Sequence, residues 1–503
     1  MHQQVYHSSE IQAWEQRWFD DQNSAFGLMQ QVAWMMAQEI ITILQGIEKK
    51  KIRIAVCCGK GNNAGDGYLI AYYLAQHSLS QHCPFNPNLE IDIFSFSQVD
   101  HHSADSLQSA YKMSQSIPLK QFTDLNHCQG YDVYIDALFG IGINRTLSED
   151  WQRIIHHINE QDGVKIAIDM PSGLDANTGQ PLPMAIHAQH TLTALAYKVG
   201  QFVGRAQDFM GHLKLIPILP CDSDLKPVAR LSPVKTILPR RHSTGHKGTY
   251  GHVLVIGGHA QMGGAVIMAA EAAFAAGAGK VTIVCDAKHH SAILSRSPNV
   301  MVQDINRFDP SQRKNLLQQV DSICFGMGLG RDDWAAEQYD QWMSILPSTN
   351  KPTVLDADAL WFLSEKPIRL NEKNYATPHP GEAAKLLHSS VAEVEHDRIK
   401  AIKRLQTLYA GEWVLKGAGS LTIDTQQTIW ICTQGNPGMG TGGMGDILAG
   451  MIASLKGQLS NSIQLHEIVN LHAMAGDVLA QQGERGLLAQ NMAQAIYQIV
   501  NLK

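Results

Sequence analysis

Short runs rich in Val, Ile and Leu alternate with helix-patterned stretches along almost the whole chain, and this alternation restricts the fold more than any other feature. In the first half the runs are Lys51–Cys58, Ile91–Phe96, Asp132–Ile135, Lys165–Asp169 and Thr191–Ala196. Helical patterns at Ile11–Phe19 and Phe26–Leu44 precede them, while Gly67–His77 and Asp150–Asn159 fall between them. Parallel strands need long crossovers, so this grammar predicts a parallel sheet covered by helices. Ligands in such folds bind beyond the carboxyl ends of the strands. The second half repeats the pattern at His252–Ile256, Lys280–Cys285, Ser322–Phe325, Thr353–Leu355 and Glu412–Leu415. It then departs, because Leu421–Ile423 and Thr428–Cys432 flank a polar turn and read as a hairpin. Both halves are expected to be α/β, with different topologies.

A proline-rich stretch separates them. Leu215 to Arg241 contains five prolines, which fix φ and remove donors, so an extended connection is expected there. The boundary is placed near residue 225, giving domains 1–225 and 226–503. At about 150 residues per domain the length alone would suggest about three, but only one break of this kind is visible.

Charge and cysteine usage narrow the function classes. A net charge of −6 offers no basic field for nucleic acid. No apolar run approaches the roughly 18 residues of a membrane span, and the N-terminus lacks the cationic and apolar regions of a secretory signal. Cys57, Cys58, Cys83, Cys128, Cys221, Cys285, Cys324 and Cys432 form no C-x-x-C pair, and most lie in apolar runs. They read as reduced thiols of a cytoplasmic protein with no membrane partner.

The 42 glycines bunch at strand ends. After Cys57-Cys58 comes G-K-G-N-N-A-G-D-G, Gly59 to Gly67, a loop opening a helix and presenting free amides suited to phosphate. Gly59, Gly61 and Ala64 satisfy the loose dinucleotide pattern, but the next strand ends F-S-F-S-Q without the ribose-binding acid. A tight turn with Asn62 and Asp66 capping the helix is the alternative. Two further strands end in acids: Y-D-V-Y-I-D-A-L-F-G-I-G at Asp136, and K-I-A-I-D-M-P-S-G-L-D at Asp169, with Ser172 just beyond. Asn63, Asp136 and Ser172 could together surround a hard monovalent cation, leaving Asp169 as acid or base. Each Asp taken singly also fits a turn or cap.

The N-N-A-G-D-G, D-A-L-F-G-I-G and D-M-P-S-G-L-D segments resemble the NAD(P)H-hydrate epimerase domain. That resemblance implies a Rossmann-like three-layer fold and a site for hydrated NAD(P)H, NAD(P)HX, with a potassium ion. The implied substrate residues are Asn62, Asn63, Ala64, Gly65 and Asp66, then Gly140, Ile141, Gly142, Ile143, Asn144, Arg145 and Thr146, with Asp169 as acid–base residue. The implied potassium ligands are Asn63, Asp136 and Ser172. Ala64 stands where many members carry glycine, and Trp34, in A-F-G-L-M-Q-Q-V-A-W, stands where the family has another.

The second half has its own loops. Arg241–Gly251 leads into a strand followed by G-G-H-A-Q-M-G-G-A, ending at Ala265; G-M-G-L-G spans Gly326–Gly330. T-P-H-P-G-E sets His379 between two prolines, and K-G-A-G-S follows a strand at Lys416–Ser420. Last comes G-N-P-G-M-G-T-G-G-M-G-D, Gly435 to Asp446, opening an apolar helix. A glycine turn feeding a helix N-terminus makes an anion hole, and Asp446 just inside can take a proton from a hydroxyl held there. A first-turn Asp favoured by the macrodipole is the alternative, as is a solvated strand end for Lys416.

H-K-G-T-Y-G, T-P-H-P-G-E, K-G-A-G-S and G-G-M-G-D-I-L-A-G resemble the ADP-dependent NAD(P)H-hydrate dehydratase domain of the ribokinase-like superfamily. The resemblance puts Ala265, Gly328, His379 and Asp446 on the NAD(P)HX side, and Lys416, Gly417, Ala418, Gly419, Ser420 and Gly445 on the adenine nucleotide side. Together the two resemblances imply a bifunctional repair enzyme, in which (R)- and (S)-NAD(P)HX are epimerised and the S form is dehydrated with release of AMP and phosphate. Mg²⁺ is expected with ADP, and the chain is expected to be a homo-oligomer. The alternative is a ribokinase-like small-molecule kinase fused to a non-catalytic Rossmann-like binding module. Histidine pairs at 101–102, 156–157 and 289–290 point to different faces and should not chelate, and H-E-I-V-N-L-H lacks zinc-protease spacing.

Overall fold

The computed structural model describes residues 4–79, 88–220 and 222–502, so Cys83 and Cys221 lie outside the described residues. The chain divides into two compact units, Met1–Ala229 and Arg230–Lys503.

The first unit runs α1 (Ser8–Asp20), α2 (Ala25–Leu44), β1 (Lys51–Cys58), α3 (Asn62–Leu79), β2 (Asn88–Ser95), α4 (Asp105–Ser114), β3 (Lys120–Phe122), β4 (Val133–Ala137), α5 (Glu149–Asn159), β5 (Val164–Ile168), β6 (His190–Ala194) and β7 (His212–Ile216). The sheet order is β3-β2-β1-β4-β5-β6-β7, with every pairing parallel. Side chains alternate across β1: Ile54, Val56 and Cys58 enter one apolar core with α1 to α4, while Ala55 and Cys57 enter another with Ile155 and Ile158 of α5. Because both faces are covered, the strand reads as one unbroken apolar run. The result is three layers of Rossmann type. The chain reverses its direction across the sheet between β1 and β4, which opens the crevice where such folds bind ligands.

Helix α3 starts at Asn62, five residues earlier than the apolar pattern predicts, so the polar N-N-A-G-D segment is helical first turn and not loop. The short strands β3 and β7 also escape prediction; three to five residues carry too little pattern.

Continuing the numbering, the second unit contains β8 (Ala229–Leu231), β9 (His252–Ile256), α6 (Gly263–Ala275), β10 (Lys280–Cys285), β11 (Met301–Asp304), β12 (Ser322–Phe325), β13 (Thr353–Leu355), α7 (Asp358–Glu365), β14 (Asn374–Ala376), α8 (Pro380–Leu386), α9 (Arg398–Tyr409), β15 (Glu412–Leu415), β16 (Leu421–Ile423), β17 (Ile429–Ile431), α10 (Met444–Leu459) and α11 (Leu465–Ala480). Its sheet is parallel across β11-β10-β9-β12-β13-β14-β15 and then turns antiparallel through β16 and β17. The hairpin expected after β15 is therefore present. The proline-rich connection differs from expectation: its proline-free triplet Ala229–Leu231 forms β8, with Arg230 opposite Trp430 and Leu231 opposite Ile431.

The six cysteines among the described residues are all free and buried. Trp34, on α2, is 49% exposed and fills no core. Among the described residues, no helix is long and apolar enough to cross a membrane.

Helix α10 is buried along most of its length and packs on α6 through Gly450, where a Cβ would stand 2.1 Å from the Ala269 carbonyl oxygen. Gly450→Ala is expected to force the two helices apart and cost about 1–3 kcal/mol, read as a lower urea midpoint.

Candidate functional sites

In the first unit the carboxyl ends of β1, β4, β5 and β6 surround a cavity of about 880 Å³. Gly59 permits its closest backbone approach: a Cβ there would lie 2.0 Å from the Leu138 carbonyl oxygen, so only glycine lets the β1 and β4 loops meet. Asn62, Asn63 and Asp66 from α3 line the cavity, as do residues Gly140 to Thr146 and Asp169. Ala64 and Gly65 face inward instead; Ala64 is fully buried and Gly65 abuts the Met29 sulfur. They shape the first turn of α3 from behind.

The capping alternative for Asp66 does not hold, since it lies within α3 and its Oδ1 has no partner among the described residues. Burial, together with the charges of Asp169 and Glu15, pushes its carboxyl well above the ordinary range. Asn62 Oδ1 accepts from Ser106 Oγ at 3.3 Å.

Asp136 and Ser172 lie beneath the cavity floor, each only 1% exposed. Ser172 donates from its hydroxyl to Asp136 Oδ1 (2.5 Å) and from its backbone N–H to Oδ2 (2.7 Å). Ser172 Oγ in turn accepts from Phe139 N–H at 2.9 Å, which fixes the turn that carries Gly140. Burial raises the Asp136 carboxyl to about 6 despite these bonds. Asn63 is buried too, and its Nδ2 has no partner among the described residues. A Cβ built on Gly140 would meet Asp169 Oδ2 at 3.3 Å and Asn63 Oδ1 at 3.4 Å, so the two side chains converge on that glycine.

Asp169 has a φ of 68°, a left-handed conformation that Asp tolerates better than most residues and that marks strained functional turns. Its Oδ1 accepts from Lys198 Nζ at 2.5 Å and from Thr193 Oγ1 at 3.3 Å. Lys198 is 1% exposed and also donates to Thr193 Oγ1 and the Ala194 carbonyl, both at 2.8 Å. Sequence reasoning missed both Lys198 and Glu15 of α1, which lines the same cavity. An isolated Lys after T-A-L-A-Y carries no motif, and Glu15 sits on a helix that reads as ordinary packing.

In the second unit the charged groups gather around Asp356, a 2% exposed residue just past β13 that sequence reasoning also overlooked. Lys416 Nζ donates to Asp356 Oδ1 at 2.9 Å and stands 3.8 Å from Glu382 Oε2, so it is not a solvated strand end. Burial opposes the ammonium charge, but Asp356 and Glu382 outweigh it and leave Lys416 above its ordinary pKa. Gly445 brings the head of α10 onto this pair, since a Cβ there would meet Lys416 Nζ at 3.1 Å and Asp356 Oδ2 at 3.4 Å. Next to it, burial and then the Asp356 charge push the Asp446 carboxyl up to about 7, against the pull of Lys416.

The predicted neighbours converge on the same region. A Cβ on Gly328 would lie 3.3 Å from the Ala265 Cβ, and Gly330 N–H donates to Asp358 Oδ2 at 2.8 Å, whose charge acts on Asp446. His379 caps α8: Nδ1 accepts from Gly381 N–H (3.0 Å) and Glu382 N–H (3.4 Å), while its own N–H donates to Glu382 Oε2 (2.8 Å). Burial and Lys416 hold its pKa below the ordinary histidine value. The Lys416–Ser420 loop, with Ala418 and Gly419 at its tip, closes on itself where Ser420 Oγ donates to the Gly417 carbonyl at 2.8 Å. It rests on buried Arg398, whose guanidinium donates to the Leu415 and Lys416 carbonyls at 3.1 Å each. Among the described residues no cluster of His, Cys, Asp and Glu is arranged to hold a metal, and His466 and His472, far below ordinary basicity at about 4, are packed side chains.

A Rossmann-type unit and a second α/β unit, each with acids and glycine turns at its strand ends, make an α/β protein with two candidate sites. Residues 253–498 match the family model described as NAD(P)H-hydrate dehydratase, and residues 25–200 match the one described as YjeF-related protein N-terminus. The bifunctional NAD(P)H-hydrate repair enzyme of Coxiella burnetii is 37% identical over 457 residues, 89% of this chain and 90% of its own. The enzyme of the same name from Escherichia coli is 34% identical over 460 residues, 89% of this chain and 84% of its own. A solved ribokinase-like superfamily protein from Enterococcus faecalis is 31% identical with a TM-score of 0.47, covering 52% of this chain and 91% of its own. The chain belongs to the bifunctional NAD(P)H-hydrate repair enzyme family.

The buried Lys198–Asp169 pair gives a direct test of how the first site is held. Lys198→Met leaves an uncompensated carboxylate and should cost roughly 3 kcal/mol in chemical denaturation. Adding Asp169→Asn should restore most of that loss.

Proposed function

We propose that the first unit, about residues 1–225, interconverts the R and S epimers of NAD(P)HX, and that the second, about 226–503, dehydrates the S epimer at the expense of ADP. The observation that carries this is Asp446, a carboxyl near neutral basicity at the amide-rich head of α10, beside the buried Lys416–Asp356 pair. A carboxylate tuned to about 7 suits a base that must accept a hydroxyl proton at neutral pH.

In the second site, Asp446 takes the proton of the substrate hydroxyl as that oxygen attacks the β-phosphoryl group of ADP, and AMP leaves. Phosphate then departs from the ring carbon with loss of a proton from its neighbour, restoring the dihydropyridine double bond of NAD(P)H. Phosphate is the better leaving group, which is why a kinase-like site suits a dehydration. The α10 amides and Lys416 stabilise the charge on the phosphoryl group in flight. Lys416 to Ser420 and Gly445 hold the nucleotide, Ala265, Gly328 and His379 the hydrated cofactor, and Mg²⁺ accompanies ADP.

In the first site, Asn62, Asn63 and Asp66 together with Gly140 to Thr146 hold NAD(P)HX, Ala64 and Gly65 shape the turn behind them, and Asp169 moves protons to and from the hydroxyl oxygen. The side-chain oxygens of Asp136, Ser172 and Asn63 suit potassium, being hard donors, and Asn63 Oδ1 converges on the Gly140 turn that Ser172 holds. Bound there, the ion would offset the buried charge of Asp136 and stiffen the turn that carries Gly140. The cytoplasm, where nicotinamide cofactors turn over, is the compartment that suits this work. The kinase-plus-binding-module alternative has less support, because the first unit keeps Asp66 and Asp169 around a cofactor-sized cavity.

Return of NADH absorbance from hydrated NADH, with ADP, ATP or neither, is the test. Asp446→Asn should cut dehydration by about 10²–10⁴-fold while epimerisation continues, and Asp169→Asn should do the converse; no recovery in any condition would exclude the assignment. Because Asp446 acts ionised and has a pKa of about 7, kcat/KM for dehydration should fall as pH drops below about 7, and a flat profile would exclude it as the base.

A further inference from the structure

The first cavity contains a carboxyl that the chemistry above leaves idle. Helix α1 buries Ile11 and Trp14 in the core and turns Glu15 toward the cavity that Asp169 also lines. The two acids are anchored independently, one on a helix and the other on the strained turn after β5. Their surroundings differ. Asp169 spends Oδ1 on Lys198 and Thr193, whereas Glu15 has no hydrogen-bond or ion-pair partner among the described residues. The other charged groups facing the cavity are Lys60 and Asp66 at the start of α3, Arg145 beyond β4, and Lys198; the α2 face is wholly apolar. Burial, and then the nearby Asp169 charge, raise the Glu15 carboxyl to about 7, with Lys198 pulling the other way.

Inverting a hydroxyl-bearing carbon requires oxygen to leave from one ring face and return to the other. One fixed carboxyl reaches both faces only if the ring turns over in the site; two separately anchored carboxyls do not need that. Resting on the epimerase reading, we propose that Glu15 is a second catalytic acid–base residue of the first site, forming with Asp169 a two-carboxyl pair that serves the two faces of the ring.

Protonated Glu15 gives its proton to the hydroxyl as the carbon–oxygen bond breaks, and the ring nitrogen's lone pair forms the carbon–nitrogen double bond. The hydroxyl leaves as water. A water then adds to the opposite face, its released proton passes to Asp169, and the π electrons return to nitrogen. The enzyme ends with the proton on Asp169 and is poised for the other epimer, or it resets by exchange with solvent.

The test uses the full chain, separately prepared R and S epimers of NADHX, and ¹⁸O-labelled water. Wild type, Glu15→Gln, Glu15→Asp and Asp169→Asn are followed by mass spectrometry and chiral chromatography against the uncatalysed background. Glu15→Gln should slow epimerisation at least about 100-fold, yet still exchange oxygen without inversion in one epimer. Asp169→Asn should show that uncoupled exchange in the other epimer. Glu15→Asp should recover part of the rate, and the wild-type decline above about pH 7 should vanish in Glu15→Gln. Epimerisation by Glu15→Gln at the wild-type rate would overturn the proposal, as would loss of exchange in both epimers. Failure of the wild-type chain to interconvert epimers would overturn the epimerase reading as well, and that result is distinguishable from the other two.

Discussion

A carboxylate taken out of water at the end of a parallel strand must be answered by a cation, by backbone N–H groups or by a proton. Parallel sheets make the demand acute because they deliver every strand to the same edge, where helix N-termini and turns supply the only unspent donors. Asp136, Asp169 and Asp356 all sit at such ends and are answered in two ways: Asp136 by Ser172 and backbone amides, Asp169 and Asp356 each by a lysine, Lys198 and Lys416. The loops take their shapes from these bonds. The Phe139–Gly140 turn hangs from Ser172, and the head of α10 closes over the Lys416–Asp356 pair at Gly445.

Where one such answer is used up, the next acid along pays in basicity. Burial, and after it the Asp356 charge, raises Asp446 and Glu382 to about 7, and Lys416, committed to Asp356, offsets this only in part. In the first unit burial and then the Asp169 charge raise Glu15 and Asp66, and Lys198, committed to Asp169, offsets this only in part at Glu15. Pairing one buried carboxylate tightly with a cation while its neighbour receives only part of that charge is a general way to separate a structural charge from one that can exchange a proton.

Much of this could be read from the chain because the strands of a doubly covered sheet are continuous apolar runs and the turns after them are glycine-rich. Lys51–Cys58, His252–Ile256 and Lys280–Cys285 coincide with strands for that reason. The residues that escaped notice are those whose role depends on burial and not on type. Lys198 and Asp356 are unremarkable letters until the fold removes water from them, and Glu15 belongs to a helix whose pattern looks like plain packing. The triplets Ala229–Leu231 and Asn374–Ala376 become strands only because a neighbouring strand offers them a register, which no local pattern encodes.

His379 spends Nδ1 accepting two amides at the head of α8. That commitment selects one tautomer, with the ring proton on Nε2, which stands 3.6 Å from Glu382 Oε1. A second proton on the ring would have to displace both helix amides, so the cap works with burial and Lys416 to hold the imidazole neutral and its hydrogen-bonding polarity constant.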